Sequence, residues 1–140
     1  MNKKDLIEKI TSYQGNHVFN PYTDICPVHD KKNAPEIRLT NLTRVLDSAI
    51  NQGTDSIWIG RDLGYKGGRR TGLALTDEAN LYNASKKWGI SLNQATQGDA
   101  YAERTAKNIW NFLRVIEQNI FMWNVFPFHP HEINLSLIHI

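Results

Sequence analysis

The fold is decided by the stretch Asp55-Ser-Ile-Trp-Ile-Gly-Arg-Asp-Leu-Gly-Tyr-Lys-Gly-Gly-Arg-Arg-Thr-Gly-Leu-Ala-Leu-Thr-Asp-Glu78. Its first part, residues 57–59, is a short apolar run that ends at Gly60 and predicts a buried strand. A glycine-rich loop follows, and then a helix-start signal at residues 76–78. A strand that leads through such a loop into a helix is typical of the carboxyl edge of an α/β sheet, where these folds bind ligands. We therefore expect the functional site in this loop.

The loop has an unusual composition. Five of the nine glycines of the chain lie between positions 60 and 72, and four cations lie among them: Arg61, Lys66, Arg69 and Arg70. Glycine allows the backbone to approach a ligand closely, and clustered cations without acidic partners favour an anion. Asp62 is the only carboxylate of residues 60–72. The composition predicts an anion site with one candidate acid–base group.

Hydrophobic spacing predicts the elements around this loop. Apolar residues at helical intervals predict helices at 3–13, 39–52, 77–88 and 99–118, and apolar runs predict strands at 56–60 and 120–126. The buried stripe of the last helix is expected to comprise Ala102, Ala106, Ile109, Phe112, Leu113 and Ile116. Residues 17–35 and 89–98 are predicted to be loops. Strands that alternate with helices predict a parallel α/β sheet.

Bulk properties narrow the class of protein. A chain of 140 residues is at most one domain, and its net charge of +2 is too small to indicate a nucleic-acid partner by itself. No apolar run approaches the length of a membrane span, so no membrane partner is expected. A single cysteine excludes an internal disulfide and fits the reducing cytoplasm. We expect a cytoplasmic monomer.

The end of the chain raises a further expectation. Two predicted strands are too few for a parallel sheet with both faces covered. The last six residues, Leu135-Ser-Leu-Ile-His-Ile140, match the translation of a transposon adapter that is used to prepare DNA libraries. We therefore expect residues 1–134 to be the N-terminal portion of a single domain, and residues 135–140 to be a non-native tail.

Two motifs carry a resemblance to a known family. The loop reads Gly60-Arg-Asp-Leu-Gly-Tyr-Lys-Gly67 and continues to Thr71-Gly-Leu-Ala-Leu-Thr76, and the second predicted strand reads Met122-Trp-Asn-Val-Phe-Pro-Phe-His-Pro-His131. They resemble the Gly-Glu-Ala-Pro-Gly-Tyr-Arg-Gly loop and the Trp-Asn-x-Phe-Pro-Phe-His-Pro segment of the uracil-DNA glycosylase superfamily. The resemblance covers residues 16–133.

The resemblance implies a fold and an activity. The fold is a three-layer α/β/α sandwich around a four-stranded parallel sheet, of which only the N-terminal part is present here. The activity is hydrolysis of the N-glycosidic bond of uracil, or a related deaminated base, during base-excision repair of DNA. The family's downstream histidine loop is not found in the 140 residues, and His129-Pro130 does not replace it. We therefore expect this chain by itself to be inactive.

The same resemblance assigns the two central residues. N-glycosidic hydrolysis develops positive charge on the sugar, so a nearby carboxylate stabilises it and orients water. Asp62 matches the family's catalytic aspartate, and on residue type alone it equally suits a loop cap that accepts backbone N–H groups. Asn124 matches the residue that reads the edge of the flipped uracil. An asparagine satisfied by neighbouring backbone is the structural alternative.

Several loop positions depart from the family pattern. Leu75 stands where a phenylalanine usually stacks on the base, and it packs without the π-face of a ring. Gly64 stands where the best-known branch has a tyrosine that excludes thymine. Several other branches also have a glycine at this position. Arg61 replaces Glu or Gln, and a cation beside Asp62 favours the ionised carboxylate. Gly60 and Tyr65 complete the predicted substrate-binding set.

The loop carries further cations, and other segments offer candidate metal ligands. Lys66, Arg69 and Arg70 are predicted to contact DNA phosphates, with a solvated cationic loop as the alternative. Cys26 and His29 have ligand-like spacing without a second pair, and the His129–His131 segment is expected to be structural. One cysteine cannot hold the iron–sulfur cluster of some branches. We expect neither a metal nor a cofactor.

Two rival functions remain open. The first is a relative that recognises DNA lesions without cleaving them, which Arg61 and Leu75 motivate. The second is an unrelated α/β domain that binds a nucleotide or another phosphorylated small molecule in the glycine loop, although the loop has neither common nucleotide-binding glycine pattern.

Overall fold

The computed structural model describes residues 1–132, which form helices packed around two small sheets. The helices are α1 (Lys3–Ser12), α2 (Ala34–Gln52), α3 (Gly68–Thr71), α4 (Leu81–Trp88) and α5 (Arg104–Leu113), and a 3-10 turn (Glu78–Asn80) precedes α4. The strands are β1 (Val18–Phe19), β2 (Ser56–Gly60), β3 (Ile120–Asn124) and β4 (His129–Pro130). The predicted tail at 135–140 lies outside the described residues.

The predicted parallel pairing is confirmed. Strands β2 and β3 run parallel in a register that begins with Ser56 opposite Ile120 and ends with Gly60 opposite Asn124. Backbone bonding continues past both strand ends, because the Val125 N–H donates to the Gly60 carbonyl over 2.9 Å. The loops that follow the two strands therefore leave the sheet side by side. The predicted strand at 120–126 ends earlier, at Asn124.

The sheets are smaller than the resemblance implies. Within residues 1–132, β2 pairs only with β3, and a separate antiparallel pair joins β1 to β4. The prediction that residues 57–59 are buried is wrong for one face, since Ile57 and Ile59 are 58% and 56% exposed. The opposite face of the sheet carries Met122, which is buried in the core. Helices therefore cover one face of this sheet better than the other.

Helix boundaries follow local signals. The Asn2 side chain accepts the Asp5 N–H over 2.9 Å in a capping box that starts α1. Helix α2 begins at Ala34 rather than at 39, because Pro35 is tolerated in the first turn of a helix. It ends before Gly53, whose φ of 79° suits glycine. Helix α5 is shorter than predicted, spanning Arg104–Leu113 rather than 99–118.

The face that α5 buries also differs from the prediction. Trp110 is fully buried and packs edge-to-face on Trp88, with 5.3 Å between the ring centroids. Phe112, which was assigned to the buried stripe, is 55% exposed and stacks on Trp58 instead. Ala106 and Leu113 are buried as predicted.

Buried ion pairs fix the loops around the sheet end. Arg38 on α2 pairs with Asp30, both fully buried, and its Nε donates to the Arg70 carbonyl over 3.1 Å. Arg70 in turn donates through Nε to Glu78 Oε1 over 2.5 Å. Removing one partner of a buried pair leaves an uncompensated charge, which costs about 3–5 kcal/mol. These pairs therefore hold the glycine loop against α2 and the N-terminal loop.

In the described part of the chain, no helix is both long enough and apolar enough to cross a membrane.

Candidate functional site

A small, mostly apolar cavity lies below the carboxyl ends of β2 and β3. Tyr22, Leu42, Leu73, Trp88, Met122 and Asn124 are among the residues that line it. The volume open to the centre of a water molecule is only about 10 Å³, which is room for about one water. The Tyr22 hydroxyl donates to the Gly72 carbonyl over 2.8 Å, and burial raises the pKa of Tyr22, so this phenol is neutral.

Asn124 is the polar side chain that stands out in this cavity. It is 1% exposed, and neither its Nδ2 nor its Oδ1 atom has a hydrogen-bond partner among the described residues. The alternative of an asparagine satisfied by nearby backbone is therefore wrong. Buried polar groups are paired in the great majority of cases, so an unpaired amide requires an explanation. Its donor and acceptor lie side by side and can bind one edge of a planar ring.

A second buried asparagine shows what a structural role looks like. Asn41 on α2 is 0% exposed, and its Nδ2 donates to the carbonyls of Thr71 and Asn93 over 3.2 and 2.9 Å. Its Oδ1 accepts the Asn93 N–H over 3.0 Å. The fold therefore satisfies a buried amide where the amide serves packing.

Gly60 and Leu75 shape the space around the Asn124 amide. A Cβ atom at position 60 would overlap Asn124 Oδ1, so glycine is required where the two strands end side by side. The Leu75 Cδ2 atom would lie 3.2 Å from the same Cβ position. Leu75 has a φ of 53°, in the left-handed region, which costs a non-glycine residue about 1–2 kcal/mol. Such strain is concentrated at functional sites.

Hydrogen bonds around residues 71–76 hold Leu75 in this conformation. The Thr71 hydroxyl donates to the Thr76 carbonyl over 2.7 Å, and the Leu73 N–H donates to Thr71 Oγ1 over 3.1 Å. The Trp110 indole N–H donates to Thr76 Oγ1 over 3.1 Å. The turn that carries Leu75 is therefore tied to the core helix α5.

Asp62 follows the end of β2, as predicted, but it does not line the cavity. Its side chain is 17% exposed, and Arg61 Nε donates to its Oδ2 over 2.6 Å. No backbone N–H of residues 1–132 donates to this carboxylate, so the loop-cap alternative is not supported. The Arg61 side chain is 91% exposed, and such surface pairs contribute little to stability. The carboxylate is thus available at the end of the strand.

The predicted phosphate contacts of Arg69 and Arg70 need correction. Arg69 is 0% exposed, its guanidinium lies 5.5 Å from the Phe19 ring centroid, and burial lowers its pKa. Arg70 is 6% exposed and pairs with Glu78. Neither guanidinium reaches a DNA backbone in this conformation, and the alternative of a solvated loop fails for the same reason. Lys66 is only half-buried, so it remains a candidate phosphate contact.

Glu103 is a loop neighbour that sequence reasoning missed. Its carboxylate covers Gly64 and Gly67: a Cβ at position 64 would lie 3.2 Å from its Oε1, and one at 67 would overlap its Oε2. Burial raises the pKa of Glu103 most, the charge of Asp77 raises it further, and Lys66 lowers it. The loop residues and Asp77, which lie beside Glu103, are more than 20 positions away in the sequence, so no local sequence pattern predicts its place beside the loop. Gly64 and Tyr65 do not line the cavity either.

His129 lies beneath the loop rather than in a metal site. Its Nδ1 atom is 2.7 Å from the Leu63 carbonyl, and burial lowers its pKa, so it is a neutral N–H donor. Across residues 1–132, no group of three or more His, Cys, Asp or Glu side chains is arranged to hold a metal ion.

Comparisons with protein-family models, with curated proteins and with solved structures found no match to this chain. Its functional interpretation therefore rests on its own residues: an unpaired buried amide, a strained leucine and a carboxylate at the ends of two parallel strands.

Proposed function

We propose that the chain carries part of the active site of a DNA glycosylase that hydrolyses the N-glycosidic bond of uracil or a related deaminated base. The observation that supports this most strongly is the buried Asn124 amide, whose two polar atoms have no hydrogen-bond partner within residues 1–132. Uracil presents an N–H donor next to a carbonyl acceptor, so Asn124 Oδ1 accepts from the base and Nδ2 donates to it. A base reaches such a buried amide only after it leaves the DNA stack.

Asp62 has the catalytic role in this proposal. With Arg61 bonded to one oxygen over 2.6 Å, the ionised carboxylate keeps lone pairs free to orient a water molecule. It also stabilises the positive charge that develops on the sugar. A pyrimidine ring is far larger than the one water that the cavity admits. Base entry therefore requires the walls of the cavity, which include Gly72, Leu73 and Ala74 of the turn before Leu75, to move.

We further propose that the complete domain is a three-layer α/β/α sandwich with a four-stranded parallel sheet. Ile57 and Ile59 are more than half exposed on β2, and β2 pairs with β3 alone within the described residues. Further strands beside β2 would use its backbone groups, and a helical layer would cover the two isoleucines. A histidine that stabilises the leaving uracil anion would come from that part, in a cytoplasmic monomer.

Base release by the product of the intact gene tests the enzymatic proposal. Single- and double-stranded oligonucleotides with one uracil are incubated with the wild type and with Asp62→Asn. We expect abasic sites to form at a rate that Asp62→Asn lowers by about 10²–10⁴-fold, the usual contribution of an acid–base group. Equal rates for both proteins would overturn the role of Asp62.

The lesion-binding rival predicts a different pattern, and the exposed Arg61 beside Asp62 is the observation that favours it. Tight binding of uracil-containing DNA without base release, unchanged by Asp62→Asn, would establish that function instead. The rival that binds a phosphorylated small molecule has lost its main support, because Arg69 and Arg70 are buried.

A further inference from the structure

We propose that Tyr65, Lys66 and Tyr101 form a platform that binds single-stranded DNA by stacking on unpaired bases. This inference deepens the proposed function, because it names the strand form that the protein holds beside the site. It stands on a surface outside the cavity, so it can be tested with DNA that contains no uracil.

The two tyrosines of the platform are exposed without a packing reason. Tyr65 is 48% exposed and Tyr101 is 46% exposed, and neither ring belongs to the hydrophobic core of the described residues. They come from segments that are distant in the sequence: Tyr65 lies in the glycine loop, and Tyr101 precedes α5. Folding has therefore brought a second half-exposed ring to the glycine loop, because the Arg70 guanidinium of that loop lies 4.9 Å from the centroid of the Tyr101 ring.

Lys66 lies beside the first ring. Its ammonium group lies 5.4 Å from the centroid of the Tyr65 ring. A hydrogen bond with Tyr65 is the largest of the interactions that raise the pKa of Lys66, and the Glu103 carboxylate contributes to the same rise. The side chain is half-buried and charged, so its ammonium group can bind a phosphate of a strand whose bases lie on the neighbouring rings.

Tyr101 is held in place before any ligand binds. The Arg70 guanidinium lies 4.9 Å from the centroid of its ring, and the Arg70–Glu78 pair fixes that guanidinium. The Tyr101 carbonyl accepts the Ala79 N–H over 3.1 Å. A buried cation thus backs one face of the ring, which leaves the other face and the ring edge to supply the exposed surface. A fixed ring loses little conformational freedom when a base stacks on it.

This combination fits a single strand better than a duplex. Aromatic rings beside a cation bind single-stranded nucleic acid because every base offers a π-face, whatever its sequence. In a duplex the bases are already stacked on each other and cannot reach the rings. Glu103 close to Lys66 also weakens a purely electrostatic attraction to phosphates. Stacking should therefore carry most of the affinity, and salt should weaken it only modestly.

Fluorescence anisotropy of the chain with labelled oligodeoxythymidine tests the platform. Tyr65→Leu and Tyr101→Leu keep an apolar side chain but remove the π-face, and each should weaken binding by about 5- to 150-fold. Tyr65→Phe and Tyr101→Phe should retain most of the affinity. Tyr82→Leu is the matched control, since Tyr82 is 73% exposed on α4 and should have no effect.

Three results would overturn the platform. They are equal losses for Tyr82→Leu and the platform variants, a duplex of the same length that binds as tightly as the single strand, and wild-type affinity in both leucine variants. Thermal unfolding of each variant shows whether the fold is retained, and if one leucine variant unfolds, the other is compared with Tyr82→Leu. Because the probe contains no uracil, failure here leaves the role of Asn124 untouched, and failure of base release leaves the platform untouched.

Discussion

Asn124→Leu separates a binding role of the amide from a structural one, because the two roles predict opposite changes in stability. Leucine has the same number and branching of side-chain heavy atoms as asparagine, and the neighbouring Gly60 presents no Cβ atom to it. In the wild type both polar atoms of the amide are buried, and no group in the described part of the chain forms a hydrogen bond with them. Removing them takes away a desolvation cost, so the substitution should stabilise the fold.

The size of the effect follows from the number of unpaired groups. Each buried unsatisfied polar group costs about 1–3 kcal/mol. The cavity admits about one water molecule, which offsets part of this cost. We therefore expect a gain of about 2 kcal/mol in the free energy of unfolding, which is roughly 6–10 °C in Tm for a domain of this size.

Asn41→Leu is the matched control for this substitution. Asn41 is equally buried, but its amide makes three hydrogen bonds to the backbone of Thr71 and Asn93. Its removal leaves those buried backbone groups unpaired and should destabilise the fold by about 3 kcal/mol. Urea unfolding followed by tryptophan fluorescence measures both variants against the wild type.

Uracil itself supplies the second half of the assay. A ligand that binds only the folded state at a hundred times its Kd stabilises that state by about 2.7 kcal/mol. Saturating uracil should raise the Tm of the wild type and of Asn41→Leu, and leave that of Asn124→Leu unchanged. The binding role of Asn124 is refuted if Asn124→Leu destabilises the fold as Asn41→Leu does, or if uracil stabilises it as much as the wild type.

Three further substitutions probe the site and its surroundings. Leu75→Phe supplies a ring where the base is expected to pack and should tighten uracil binding by about 2- to 10-fold in a thermal-shift titration, and unchanged or weaker binding would contradict that position. Glu103→Gln removes a carboxylate beside Lys66. Because the Glu103 pKa is raised above 4.5, the affinity of the wild type for oligodeoxythymidine should increase as the pH falls toward that pKa. The affinity of Glu103→Gln should be high across the same pH range. The folded-state pKa of His129 lies below 6.5, so the unfolded state binds a proton at a higher pH than the folded state does. Stability should therefore fall as the pH drops below 6.5. His129→Asn keeps a donor for the Leu63 carbonyl and should lose less stability between pH 7 and pH 5, and equal losses in urea unfolding would contradict this assignment.

The sequence predicted those features that depend on local signals. The apolar run before Gly60 and the one before Asn124 both became strands, and their parallel pairing followed from the helices between them. Asn124 was also recognisable, because a polar residue in an apolar strand needs a partner or a ligand. What could not be foreseen was that residues 1–132 offer it no hydrogen-bond partner.

The cations of the glycine loop show why the rest was missed. Arginine is mostly exposed in proteins, so Arg69 and Arg70 were interpreted as surface charges. Their burial depends on Phe19 and Glu78, which meet the loop only after the chain has folded. The same limit applies to Trp110, since the α5 pattern allowed two adjacent faces and contact with Trp88 selected the face that carries it.

Three unfavourable features lie in or beside the loops that leave β2 and β3. Leu75 adopts a left-handed backbone conformation, and within residues 1–132 the buried Arg69 terminal nitrogens and the buried Asn124 amide have no hydrogen-bond partner. The equally buried Arg38 and Asn41 of α2 are hydrogen-bonded, and the other non-glycine residue with a positive φ in this part of the chain is His17. Each feature costs free energy that leucine, glycine or a paired side chain would avoid. Proteins retain such local conflicts where a ligand or a reaction requires them. The end of the parallel strands is therefore the place to look for the activity of this chain.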